Sequence, residues 1–274
     1  MPCAATLLPT ALLLLSGAAM ADDPNPVALA RKSIEAGSAN NAKEQQYAFR
    51  EYKVTRELDD KGKETGRKSE TWEIIGLEGS TYRKLVMRND MPLGSKEQKR
   101  EDDRLKKETA LRKKETPEQR HNRVLSFTYS LSFQYDKLAD IYDLRYLGEE
   151  VVGGRATYVI EGTPKPDYRP ATDNEKELLN YKVKVWLAQD DCFSARMDMN
   201  VIGDHSRMQK DSHIRTESDQ HDDGVWLPTA LIFDFNARFF KMLSTRGEMT
   251  VSFSDYHKFQ VDSRVVEADR LLPQ

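Results

Sequence analysis

The side chains whose types and spacing could do chemistry are few. His205, His213 and His221 recur every eight residues, with Asp204, Asp211 and Asp222 nearby. Imidazoles and carboxylates together form a donor set for a divalent metal. An eight-residue interval, however, follows neither helical nor hairpin geometry that would bring three rings together. The stretch reads as a solvated polar strand and turn, and no metal is expected. The acid pairs Glu149-Glu150 and Asp222-Asp223 adjoin turn signals and read as solvated turn residues rather than an acid/base couple. Nothing around Cys192 suggests an activated thiolate, so it reads as a small strand residue. G-x-S-x-G, P-loop, G-x-G-x-x-G, H-E-x-x-H and C-x-x-C patterns are all missing from the sequence. The expectation is a non-enzymatic protein with no catalytic residue and no cofactor.

The chain has 274 residues, 32 % of them charged and 38 % hydrophobic, with a net charge of −3. That near-neutral balance offers no global field for nucleic acid. The aromatic side chains, 10 Phe, 11 Tyr and 3 Trp, need a core in which to pack. Residues 7 to 20 carry no charge, and Ala19-Met20-Ala21 precedes Asp22. This reads as a cleaved secretory signal over residues 1–21, with an uncleaved anchor as the alternative. Cleavage leaves one cysteine, so the fold must rest on its core without an internal disulfide in an oxidising compartment. Residues 22–274 are expected to form one domain.

Asn25-Pro26 is a helix start that Gly37 can end. Beyond it the apolar period is two. A bulge is expected near Arg50-Glu51, because Tyr47/Phe49 and Tyr52/Val54 share a face only if one residue is skipped. Asp59 to Gly62 is a turn, and Gly153-Gly154 is a hairpin turn. Ala156, Tyr158 and Ile160 share one face, as do Tyr181, Val183, Val185 and Leu187, and Phe193 through Val201 alternate likewise. Leu227, Leu231, Phe233 and Phe235 form a further set, as do Met249, Val251 and Phe253. His205 to Asp219 alternates poorly and reads as an exposed or edge strand. About ten strands with one covered face mean a mainly β, α+β fold: one large antiparallel sheet that curls and so acquires a concave side.

Residues 95 to about 140 differ in composition. Between Lys96 and Arg123 there are 11 Lys/Arg and 7 Asp/Glu. Ser95 to Gln98 and Thr116 to Gln119 fit capping boxes, which predicts two helices meeting near Thr116; Thr172 to Glu175 starts a third, short helix. The charged helices read either as a solvated face or as a contact surface for an envelope protein or an anionic membrane. They lack interleaved aromatics, so no nucleic acid is expected.

The second half resembles the outer-membrane lipoprotein-sorting proteins of the LolA/LolB-like superfamily. The residues that carry this are Gly153-Gly154-Arg155-Ala156-Thr157-Tyr158-Val159-Ile160, then Tyr181-Lys182-Val183-Lys184-Val185-Trp186-Leu187 with Arg196 on the next strand, then Asp223-Gly224-Val225-Trp226-Leu227-Pro228. The resemblance implies a half-open antiparallel barrel with helices over its concave side. It also implies a periplasmic carrier of acyl chains or lipoproteins, or a sensor of envelope stress. Relatives often carry an acid shortly after the Val-Trp-Leu stretch; here Ala188-Gln189 intervene before Asp190-Asp191. The apolar faces leave two outcomes open: a core filled by helices, or a hollow for an apolar ligand. In the second case Tyr158, Ile160, Val185, Met197, Met199, Phe233 and Phe235 would line it.

Overall fold

The computed structural model describes residues 23–120, 138–203, 208–239 and 243–259. The expected signal segment, His205 and much of the second charged helix lie outside them. Eleven antiparallel strands form one sheet: β1 (Tyr47–Leu58), β2 (Glu64–Leu77), β3 (Ser80–Arg88), β4 (Met91–Pro92), β5 (Tyr142–Val152), β6 (Arg155–Pro164), β7 (Tyr181–Ala188), β8 (Ser194–Val201), β9 (His213–Gln220), β10 (Trp226–Phe239) and β11 (Leu243–Lys258). Their order is β4-β3-β2-β1-β11-β10-β9-β8-β7-β6-β5. The consecutive strands β4 and β5 therefore occupy opposite edges, and β1 pairs with β11 in the middle. The sheet is open, as the alternation implied.

Local chemistry explains the turns. Asp59 accepts from the backbone N–H groups of Lys61 and Lys63, and Gly62 takes a left-handed φ of 78°. Gly153 and Gly154 have φ of 57° and 82°, as a tight primed hairpin requires. The bulge expected on β1 near Arg50-Glu51 is not there. Between Ala48 and Arg50 the extra residue lies on β11, where His257 to Ser254 spans three positions. β1 pairs regularly with β2 from Phe49 to Glu57, so Tyr47/Phe49 and Tyr52/Val54 point to opposite faces.

The helices that can be bounded among the described residues are α1 (Pro26–Glu44), α2 (Ser95–Arg112), α3 (Leu138–Ile141) and α4 (Asp173–Leu178), and residues 117–120 are helical as well. The Asn25 side chain caps α1 by accepting from Val27 and Ala28. The helix does not stop at Gly37 but continues to Glu44; a glycine inside a helix costs only about 1 kcal/mol, which the docking of the following turns offsets. No side chain caps α2, whose N-cap is Gly94 rather than Ser95. Thr116 and Gln119 do form the reciprocal capping box, with bonds of 2.9 and 3.2 Å. In α4, Thr172 accepts from Glu175 N–H.

Helix α1 lays Leu29 and Ala30 against Ile160, Leu187 and Cys192. Ile141 of α3 and Leu178 of α4 pack with Tyr142, Tyr181, Val183, Met199 and Val201. These helices define the inner face. Helix α2 does something different: it runs along the free edge of β3. Glu101 accepts from the Leu85 N–H (3.3 Å), Arg104 donates to the Arg83 carbonyl (2.6 Å), and buried Arg112 donates to the carbonyls of Thr81 (3.1 Å) and Leu77 (3.0 Å). Leu85, Arg83 and Thr81 are alternate residues, so their unpaired groups point outward from the same edge. A long bare edge invites pairing with another chain, and here a charged helix satisfies it. Arg112 is thus a structural residue rather than part of a free contact surface.

Three further expectations are corrected. The stretch read as an exposed or edge strand contains β9, an interior strand between β8 and β10. Its charges are tolerated because they are paired across the sheet: Arg215 with Asp198 at 2.7 and 2.8 Å, and Glu217 with Arg196 at 2.8 Å. Cys192 lies in the β7–β8 turn with φ of 60°, not in a strand; it is buried and its thiol pKa is raised by that burial. Finally, a bulge between Pro228 and Ala230 turns Leu227 away from the face of Leu231 and Phe233; Leu227 packs with Tyr47 and Val225 instead.

Candidate functional site

The cross-strand register sorts the inner face into rows. One row runs Tyr146, Ile160, Val185, Met197, Thr216, Leu231, Val251, each directly opposite the next. Its neighbour runs Leu144, Gly162, Val183, Met199, Ile214, Phe233, Met249. Directly opposed side chains lie about 5 Å apart, so the two rows make a continuous apolar surface across seven strands.

The seven residues picked from sequence all lie on this face, at different depths. Ile160 and Met199 are buried, Ile160 beside Leu29 of α1 and Met199 in the cluster under α3 and α4. Tyr158, Val185, Met197 and Phe233 are half-buried and pack at the margins of those clusters. Phe235 is also half-buried and stacks on Phe233, with ring centroids 5.4 Å apart. Leu231, Ile214 and Met249 are half-buried too. Between β8 and β11 the described residues therefore leave a strip of partly covered apolar side chains. Gly247 faces Phe235 across the β10–β11 pair. A Cβ at Gly247 would stand 2.5 Å from the Phe235 ring and 2.7 Å from the Arg56 carbonyl, so the ring can lie on the sheet only over a glycine.

The first row changes character at β1. Beyond Val251 it continues through Lys53, Glu70 and Arg88. Lys53 and Glu70 are paired at 2.5 Å, Arg88 reaches Glu70 at 3.7 Å, and Glu97 of α2 meets Arg88 at 2.6 Å. Burial acts to raise the Glu70 carboxyl pKa, but the Lys53 ammonium and its neighbours hold it below the usual value. This row is thus apolar, Thr216 apart, from β5 to β11 and ionic from β1 to β3, while Phe49, Trp72 and Ile74 keep neighbouring positions of β1 and β2 apolar.

At one end of the strip β10 and β11 part company. Asn40 of α1 donates to the Trp226 carbonyl and accepts from the Trp226 N–H, and the Tyr256 hydroxyl donates to the Pro228 carbonyl at 2.5 Å. The Trp226 indole stacks on Phe193 and donates to Asp191 at 2.7 Å. Trp186 donates to Glu150 at 2.7 Å, with the Arg196 guanidinium 5.5 Å from its ring. The recurring tryptophans and their acids therefore fasten neighbouring segments to one another. Asp191 does this although Ala188, Gln189 and Asp190 separate it from the Val-Trp-Leu stretch. Nearby, burial and the Asp223 carboxylate push the Tyr47 hydroxyl up to about 12.

Among the described residues, His213 and His221 do not converge. His213 lies beside Asp198 (3.6 Å) and Asp234 (3.7 Å), whereas His221 is beyond the far end of β9 near Asp223 (3.8 Å). Eight residues of strand span about 26 Å, so one ion could not bind both. Ile214 was missed as an inner-face residue because its strand was read as exposed. The ionic row at Lys53 and Glu70 was missed because a skip in β1 near Arg50-Glu51 was expected, whereas β1 alternates without a break there and brings Lys53 to the inner face. Among the described residues, no helix is long and apolar enough to cross a membrane.

No family model and no curated protein matches the chain. Solved structures do. One is a putative outer membrane lipoprotein-sorting protein domain from Vibrio parahaemolyticus, with 13 % identity over 88 % of this chain and 96 % of that one and a TM-score of 0.39. A LolA superfamily protein from Nitrosomonas europaea gives 12 %, 86 %, 94 % and 0.32. The lipoprotein LppX of Mycobacterium tuberculosis gives 14 %, 88 %, 100 % and 0.32.

Proposed function

We propose that this chain is a periplasmic carrier that shelters acyl chains of a lipid or lipoprotein on its inner face, and that it acts without catalysis. Residues 1–21 direct export and are removed, and residues 22–274 form one domain. The observation that carries this reading is the strip of Met197, Ile214, Leu231, Phe233, Phe235 and Met249, apolar and only partly covered among the described residues. Tyr158, Val185, Ile160 and Met199 extend it under the helices. Each methylene buried there contributes about 0.8 kcal/mol. About sixteen buried carbons contribute about 13 kcal/mol, which leaves about 8 kcal/mol, micromolar-class binding, after an association cost of about 5 kcal/mol. The row that becomes ionic at Lys53 and Glu70 orients the ligand, with its tail toward β8–β10 and its polar end toward β1–β3.

The test is native mass spectrometry of protein purified without detergent, combined with uptake of a fluorescent fatty acid. Bound lipid, or saturable uptake displaced by unlabelled fatty acid, is the expected result. Recovery of ligand-free protein that takes up no probe overturns the reading.

A further inference from the structure

Helix α2 is divided by charge. The side that meets β3 holds Glu97, Glu101 and Glu108, engaged with Arg88, with the Leu85 N–H and Arg104, and with Arg112. The opposite side is basic. Lys99, Lys106 and Lys113 follow at seven-residue intervals, as do Arg100, Lys107 and Lys114, and all six are exposed. Seven residues are nearly two helical turns, so Lys99 and Lys106, and Arg100 and Lys107, each lie on one line along the axis, with Lys113 and Lys114 following just past the helix end at Arg112. Lys96 falls between the two lines, and the one acid among them is Asp103. Lys113 also reaches Glu78 at 3.9 Å. The helix turns Glu97 and Glu101 to the sheet edge and most of its lysines outward over about 27 Å of length. Leu111, 54 % exposed, stands at the margin of the same side.

We infer that the outward side of α2 docks on an anionic lipid bilayer, with the helix axis parallel to the membrane plane. A headgroup layer matches the observations in three ways. It is extended and negatively charged, as the uniform row of cations requires; it needs no shape complementarity from flexible lysines; and it accepts a protruding leucine beside the basic residues. The net charge of −3 does not oppose this, since fields from the far side of the molecule decay within about 10 Å at moderate salt. The surface is separate from the inner face, and the inference stands whether or not the inner face holds an acyl chain.

The experiment is vesicle flotation of the full chain with phosphatidylcholine vesicles containing 30 % phosphatidylglycerol, against vesicles of phosphatidylcholine alone. The expected result is at least tenfold stronger association with the anionic vesicles, largely abolished by 0.5 M salt. The triple variant Lys99→Glu/Lys106→Glu/Lys107→Glu loses that preference. Lys61→Glu/Lys63→Glu, in the β1–β2 turn, keeps it, and so does Phe233→Asp, which separates surface docking from acyl uptake. Circular dichroism confirms that the triple variant folds, since none of its three lysines bonds to the sheet. Equal association with both vesicle types, unchanged binding by the triple variant, or no binding by the parent chain overturns the inference. The last outcome would turn attention to an acidic protein as the partner of this side.

Discussion

The side-chain amide of Asn40 takes the place of a strand: it bonds both the N–H and the carbonyl of Trp226, each at 2.8 Å, across 186 residues of sequence. These are the backbone groups that β11 would have satisfied had it stayed beside β10. Each buried, unsatisfied backbone group costs about 1–3 kcal/mol. Asn40→Leu should therefore destabilise the fold by about 2–4 kcal/mol in urea denaturation. A loss below 0.5 kcal/mol would show that water replaces the amide without penalty.

Arg112 closes the other end of the structure in a similar way, through the carbonyls of Leu77 and Thr81. Arg112→Met keeps the aliphatic stem but removes every donor. The expected cost is about 2–3 kcal/mol, and amide hydrogen exchange in β3 should accelerate more than in β7. Uniform acceleration across the sheet would mean that α2 does not guard that edge.

The half-buried strip makes a prediction about ligand and stability together. Phe233→Asp places a charge beside Phe235 and Ile214, and should weaken fatty-acid uptake by more than tenfold. Val183→Ala, under the helices, should instead lower stability by about 2 kcal/mol and leave affinity within threefold. If both variants bind as the parent does, the ligand site lies elsewhere.

Glu44 ends α1 where burial raises its carboxyl pKa from 4.5 to about 7. A raised carboxyl pKa means that the folded chain holds the proton more tightly than the unfolded one. The stability linked to it is complete below pH 4.5, declines between pH 4.5 and 7, and is gone above 7. Glu44→Gln mimics the protonated form. It should match the parent at pH 4 and exceed it by about 3 kcal/mol at pH 8. A difference independent of pH would dissociate Glu44 from this slope.

Much of the sheet was legible because a pleated strand with one covered face imposes a period of two, and Tyr181 to Leu187 or Met197 to Val201 show it plainly. The glycine turns were legible because a left-handed backbone favours glycine; the bulge expected on β1 was not there, since the extra residue sits on the partner strand β11, which patterning of β1 alone cannot reveal. β9 escaped because cross-strand ion pairs such as Arg215–Asp198 let charged residues occupy an interior strand, which single-strand patterning cannot reveal. The end of α1 escaped because Asn40 docks on Trp226 through a distant contact that overrides Gly37. Of the candidate site, the seven chosen residues do share one face. Their differing depth was not legible, since whether Ile160 is covered and Phe233 half-open depends on where α1 and α4 come to rest.

The central pairing of β1 with β11 has a consequence for how the molecule assembles. Tyr47 sits opposite Lys258, with more than 200 residues between them. Closing so long a loop is slow and comes before any reward from the contacts it permits. The opening hairpins can form early, yet they stay a separate fragment until nearly the whole polypeptide is present. A truncation that removes the last strand would take away the seam that joins both halves, along with the ribbon it supplies.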